Sequence, residues 1–284
     1  AERLAYGYRL QDGRWLLEPP LPDGAFGVMG GMLTTPADLS RWVAFMLDAW
    51  PARDDAETGP VKRSSVREMQ QIQRFSGASA VAQDGGLSLN AGGYGYGLRI
   101  QQDCDYAALV SHTGGLPGYG SIMKWLPEQG VGIIALGSLT YTPWTPIVDR
   151  AIAMLGETGG LSRREPQPAP VLLTRRDQVT RLVQRWSAPL ADSLAAMNLF
   201  RDVPADRRRT QIARVVDDAG GECRNEGPFV AENALRGAWR MRCARGDIVL
   251  RITLAPTEPA AVQFLNVSRA GPEALRAVPQ ACRR

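Results

Sequence analysis

Between Gly156 and Pro170 the chain runs through Gly-Glu-Thr-Gly-Gly and then Glu-Pro-Gln-Pro-Ala-Pro, the composition of a linker. Proline removes a backbone donor and glycine enlarges the unfolded ensemble, so such a stretch connects structures rather than building one. The break at 156–170 therefore divides the 284 residues into a first domain at 1–155 and a second at 171–284. Either length allows a core of its own.

Ahead of the break, Thr35-Pro36-Ala37-Asp38 reads as a helix start. Thr35 suits the N-cap, Pro36 the first turn, and Asp38 the positive end of the dipole. Leu39, Trp42, Val43 and Met46 then share one face, which extends the helix to about Trp50. Ser65-x-x-Glu68 has the form of a capping box and predicts a second helix from Ser65. Residues 76–93, rich in Gly, Ser and Ala, read as a long surface loop. Strands are expected at 94–101, 106–111, 119–126 and 131–138, with Pro127–Gly130 closing the last two into a hairpin. A helix at 144–155 should bury Ile147, Ala151, Ile152 and Leu155.

Beyond the linker the pattern restarts. Helices are predicted at 174–198, interrupted at Pro189, and at 206–219, followed by strands near 222–227, 235–243, 247–254 and 261–268. Ile248, Leu250, Ile252 and Leu254 alternate with Val249, Arg251 and Thr253, as in a sheet with one covered face. Helices before a strand meander make a small α+β unit, here expected to be cystatin-like or nuclear-transport-factor-like by fold analogy alone. Trp42, Trp125, Trp186 and Trp239 are expected in the cores.

Composition narrows the function. A net charge of +4 spread along the chain, with Arg207–Arg209 flanked by Asp202, Asp206 and Asp217, gives no clustered basic footprint for nucleic acid. No apolar run approaches the ~20 residues that span a bilayer. One histidine and four cysteines without Cys-x-x-Cys spacing leave no metal cluster to assemble, and no cofactor is expected. The even cysteine count points to disulfides in an oxidising compartment, hence periplasmic or secreted protein. Cys223 and Cys243 fall on consecutive predicted strands and are the candidate pair; Cys104 with Cys282 is a looser one. Gly93-Tyr-Gly-Tyr-Gly97 lacks the Gly-Lys-Ser/Thr ending of a phosphate loop and reads as a close approach to a strand. No Gly-x-Ser-x-Gly elbow occurs.

The stretch that carries chemistry is Val110-Ser-His-Thr-Gly-Gly-Leu-Pro-Gly-Tyr-Gly-Ser121. It resembles the Lys-Thr-Gly strand of class C β-lactamases, penicillin-binding proteins and related esterases, with His-Thr-Gly in place of Lys-Thr-Gly. Leu4-Ala-Tyr-Gly-Tyr8, Gly30-Gly-Met-Leu-Thr-Thr-Pro-Ala-Asp38 and Trp125–Ala135 are similar to further segments of that family, in the same order. The resemblance implies an α/β (α+β) fold: a partial β-lactamase/DD-peptidase-like domain with an antiparallel sheet and a C-terminal helix. It implies that Gly115 offers its N–H to an oxyanion and that His112, Thr113 and Gly114 contact the substrate, with His112 also in the catalytic network. The substrate would be a small ester, amide, lactam or peptide. Histidine carries little fixed charge at neutral pH, which favours an esterase or peptidase-like member over a strict β-lactamase.

The family's Ser-x-x-Lys nucleophile and Tyr-x-Asn or Tyr-x-Ser motifs belong upstream of these segments. The expectation is that both precede Ala1, together with any signal peptide, and that this chain alone is inactive. Alternatives are a non-catalytic module binding a peptide or cell-wall fragment, and a half-domain completing a separate N-terminal chain. Ser121-Ile-Met-Lys124 spells the motif but lies in a predicted strand, where residues three apart face opposite ways.

Overall fold

The computed structural model describes residues 4–22, 24–25, 27–53, 55–83 and 86–271. They fall into two compact units, one built from the chain up to Pro51 and from Glu57 to Arg164, the other from Glu165 onward together with Ala52–Ala56. Both combine helices with antiparallel sheets.

In the first unit, β1 (Gly7–Gln11) and β2 (Arg14–Glu18) form a hairpin, followed by the short α1 (Gly27–Gly30), α2 (Pro36–Asp48) and α3 (Arg63–Met69). Six strands then pair with their sequence neighbours in order: β3 (Arg74–Gln83), β4 (Gly86–Tyr94), β5 (Arg99–Asp103), β6 (Leu109–Leu116), β7 (Tyr119–Leu126) and β8 (Val131–Gly137). Helix α4 (Trp144–Glu157) closes the unit.

The pleat of β7 shows how the layers stack. Trp125 and Met123 turn to one face and join Val43 and Met46 of α2 and Val66 of α3, while Ile122 and Leu126 turn to the other and pack on Val148 and Ile152 of α4. Trp125 is fully buried, and its Nε1–H donates to Gln70 Oε1 at 2.8 Å. The Gln70 amide donates in turn to the carbonyls of Met46 and Val66, so this buried polar group is satisfied on both sides.

Several local expectations change. Thr35 does cap α2, its Oγ1 accepting from Asp38 N–H at 3.1 Å, but Trp42 is 43% exposed and the buried face is Val43 and Met46. Helix α3 starts at Arg63 without a side-chain cap, which places Ser65 inside the helix rather than at a capping box. Residues 76–93 are not a loop. Residues 76–83 and 86–93 lie in β3 and β4, paired through positions such as Ala78↔Ala91 and Ala80↔Leu89. Their Gly, Ala and Ser side chains bury little, so the hairpin lacks the alternation that marks a half-covered strand. On α4 the buried pair is Val148 and Ile152, with Ile147 56% exposed.

The second unit opens with α5 (Pro170–Gln184), α6 (Ala188–Leu194), α7 (Leu199–Asp202) and α8 (Ala205–Asp218). Pro189 stands in the first turn of α6, where its missing N–H costs nothing. The strands β9 (Arg224–Asn233), β10 (Arg236–Cys243), β11 (Gly246–Leu254) and β12 (Val262–Arg269) form an antiparallel meander. Ile248, Leu250, Ile252 and Leu254 share one core with Trp239, Met241 and the helices. Away from that core the sheet carries ion pairs, Arg240–Asp247, Arg242–Glu226 and Arg251–Glu232. Cys223 and Cys243 are bridged, with Cα atoms 4.1 Å apart. Cys282 lies outside the described residues.

Candidate active site

His112, Thr113, Gly114 and Gly115 are consecutive on β6, near its C-terminal end. What distinguishes this stretch is its edge. Strand β5 pairs with β6 only through Gln101↔Leu109, Ile100↔Val110 and Arg99↔Ser111, whereas β7 pairs with β6 from Val110 to Leu116. From His112 to Leu116, β6 has no strand on its β5 side among the described residues.

Strand alternation sends His112 and Gly114 to one face of the sheet and Thr113 and Gly115 to the other. A ligand lying along the open edge is therefore within reach of groups from both faces. The two glycines are held by sterics. A Cβ on Gly114 would stand 2.4 Å from Ser121 Oγ, and one on Gly115 would stand 2.3 Å from the Tyr141 ring. Tyr141 is itself at φ 50°, the left-handed region that L side chains seldom adopt.

Glycines also bring neighbouring segments against this wall. Gly7 of β1 and Gly118 of the β6–β7 turn approach so closely that a Cβ on Gly7 would lie 2.7 Å from the Gly118 Cα. Gly118 N–H donates to Thr140 Oγ1 at 2.7 Å, and Tyr119 O–H donates to the Ala5 carbonyl at 2.7 Å. A Cβ on Gly30 would meet the Leu116 side chain at 2.9 Å, which sets the end of α1 beside the end of β6. Ala5 and Gly7 of the segment Leu4–Tyr8 and Gly30 at the start of Gly30–Asp38, far apart in sequence, thus meet the β6–β7 turn.

One partner was missed in the sequence. Tyr94, the last residue of β4, places its hydroxyl oxygen 3.0 Å from His112 Nε2, the rings meeting edge-on. The tyrosine sits inside Gly93-Tyr-Gly-Tyr-Gly97, two of whose glycines mark close approaches: a Cβ on Gly93 would strike Ile72 and one on Gly95 the Met69 carbonyl, while Gly97 stands at φ 71° with nothing near. The signal for the backbone was there, but nothing in it pointed across to a histidine eighteen residues on.

Lys124 lies in β7 with Ser121, on the opposite face, and its ammonium pairs with Asp149 of α4. Ser121-x-x-Lys124 therefore cannot act as a nucleophile and base pair. No group of three or more His, Cys, Asp or Glu suited to a metal occurs among the described residues.

Residues 1–156 match the family model described as Beta-lactamase. That match covers more than half of the chain, and the chain belongs to the beta-lactamase family. A search of curated proteins returned no match. The layered first unit, with its antiparallel sheet between α2–α3 and α4, is accordingly a partial β-lactamase-like fold, and the family points to serine-hydrolase-like function.

Proposed function

We propose that the first domain, residues 1–155, forms the substrate and oxyanion wall of an exported serine hydrolase whose Ser-x-x-Lys nucleophile lies upstream of this sequence. The observation that carries the reading is the open edge of β6 from His112 to Leu116. The two-residue turn Pro117–Gly118 makes Leu116 and Tyr119 the flanking, mutually bonded pair. Counting back by alternation, Gly114 and His112 direct their backbone groups to β7, and Gly115 and Thr113 direct theirs to the open edge. An acyl group lying along that edge meets the Gly115 N–H, and a strand-like substrate pairs with Thr113. An oxyanion donor of this kind contributes about 3–4 kcal/mol to transition-state stabilisation. His112 donates to the acyl substrate or the catalytic network.

In this reading the serine attacks an ester, amide or lactam carbonyl while the lysine takes the hydroxyl proton, and the Gly115 N–H holds the tetrahedral oxyanion. Collapse of that adduct breaks the C–O or C–N bond, the lysine returns the proton to the departing alkoxide or amine, and the acyl-serine remains. The Cys223–Cys243 bridge supports a periplasmic or secreted setting. No described helix is long and apolar enough to cross a membrane. Residues 171–284 are an accessory α+β domain joined through 156–170.

The test is reaction with a fluorophosphonate, read by intact mass and peptide mapping. Residues 1–284 alone should take no label. The chain extended by its in-frame upstream sequence should be labelled on the serine of Ser-x-x-Lys. A label on Ser121, or none on the extended chain, sinks the proposal.

A further inference from the structure

We infer that Tyr94 is a positioning residue that holds His112 in its Nδ1–H tautomer, so that the wall presents a neutral hydrogen-bond donor where a lysine would present a fixed cation. This rests on the reading of His112 as part of the substrate wall.

The contact itself is 3.0 Å between the Tyr94 oxygen and His112 Nε2, inside hydrogen-bonding range. Its direction follows from the two groups. A neutral imidazole has one N–H and one bare nitrogen, and the bare nitrogen is a far better acceptor than a phenol oxygen. The phenol O–H is correspondingly the better donor. Tyr94 therefore donates to Nε2, and the ring proton resides on Nδ1.

The backbone around Tyr94 suits a positioning role. Its register is fixed on both sides, opposite Arg74 of β3 and Arg99 of β5. The flanking glycines are clamped: a Cβ on Gly93 would lie 2.6 Å from the Arg74 carbonyl, and one on Gly95 would lie 2.3 Å from the Met69 carbonyl. The phenol thus projects from a segment that cannot shift without disturbing the end of α3, which is how a supporting residue fixes a ring at a defined angle.

The consequence is chemical. With Nε2 occupied, the Nδ1–H is the one polar group the ring has left to offer a ligand. It can donate to a carbonyl, ester or carboxylate oxygen, but it cannot take a proton from the ligand or supply full charge. A lysine at this position would favour substrates bearing a carboxylate. The His112–Tyr94 pair instead favours uncharged acyl groups such as esters and amides, narrowing the substrate class.

Because His112 is the single histidine of the chain, its ring nitrogens are the only imidazole signals in a long-range ¹H–¹⁵N spectrum of the uniformly labelled protein. At about pH 8.5, where an imidazole is neutral, Nδ1 should resonate in the protonated range and Nε2 in the bare range. In Tyr94→Phe both should move towards the mixture of free histidine, in which Nε2–H dominates, with the thermal melt unchanged. A wild-type spectrum already showing Nε2–H, or one that Tyr94→Phe leaves in place, overturns the inference. Neither spectrum needs turnover, so this outcome is independent of the fluorophosphonate result that decides the hydrolase reading.

Discussion

The two units handle their apolar side chains differently. In the second, Trp239, Met241, Ile248, Leu250, Ile252 and Leu254 sit in one continuous core, each no more than 2% exposed. In the first, the helix-covered sheet holds two separate clusters, while Val28, Met29, Met32 and Leu33 each remain at least 75% exposed, with Trp15 and Tyr6 at 63% and 70%. Val28, Met29, Met32 and Leu33 lie within one six-residue stretch, and apolar exposure clustered in that way suits a surface that other protein covers. The proposed substrate wall therefore lies in the unit with less of its surface closed, and the unit with no assigned chemistry is the better packed. Folding of the second unit should be its own affair, whereas the first should gain from whatever completes it.

That contrast can be broken by mutation. If each unit carries its own core, urea unfolding followed by fluorescence and circular dichroism should show separate transitions. Trp239→Ala should then act on the second alone. It removes a 2%-exposed indole that also donates to Thr180 Oγ1 at 3.1 Å, and should cost about 3–5 kcal/mol. Equal loss in the first transition would mean that the two cores are coupled and the comparison is wrong.

Next in size is the bridge. Cys223 and Cys243 are separated by 20 residues, a loop whose closure restricts the unfolded chain by about 3 kcal/mol. Cys223→Ser with Cys243→Ser should lower the midpoint of the second transition, and reduction of the wild type should reproduce the shift. If dithiothreitol leaves the midpoint in place, the core rather than the bridge holds β9 to β10.

A third substitution probes the wall. Gly115→Ala drives a methyl into the Tyr141 ring, which must turn aside about its side-chain bonds, and should cost about 1–3 kcal/mol in the first transition. Gly92→Ala is the control, since its Cβ would have only the Ile100 carbonyl within 4 Å, at 3.7 Å. A similar loss in both variants would show that backbone freedom rather than the Tyr141 contact sets the requirement at 115.

What the sequence made legible follows the same division. Strong periodicity placed β10, β11 and β12 within a residue or two, because one face of that sheet is mostly apolar and the other carries Arg236, Arg240, Arg242, Asp247 and Arg251. The β3–β4 hairpin was lost because alanine, glycine and serine alternate without contrast, and only pairing partners define such strands. Trp42 misled for a related reason: helical spacing identifies a face but not its width, and α2 buries only the strip of Val43 and Met46. At the site, the order His-Thr-Gly-Gly was readable because it is contiguous. The open edge of β6 and the Tyr94–His112 contact were not, since one is set by where β5 stops pairing and the other joins two strands across the sheet.

The smallest expected effect tests whether local helix signals matter in the less closed unit. Thr35 Oγ1 accepts from Asp38 N–H and donates to the Asp38 carboxylate at 2.8 Å, satisfying one of the free amides at the start of α2. Thr35→Ala should cost about 1 kcal/mol, seen as a shift in the first transition alone, and Thr35→Ser should restore most of it. The cap stands next to the Gly30–Thr34 segment, which carries the exposed Met32 and Leu33. If further protein covers that segment, adding the upstream sequence should hold α2 in place from outside, and the cost of Thr35→Ala should shrink. A penalty that stays the same in the extended chain would mean that α2 is anchored wholly by Val43, Met46 and the sheet beneath them, and that completing the first unit does nothing for this helix.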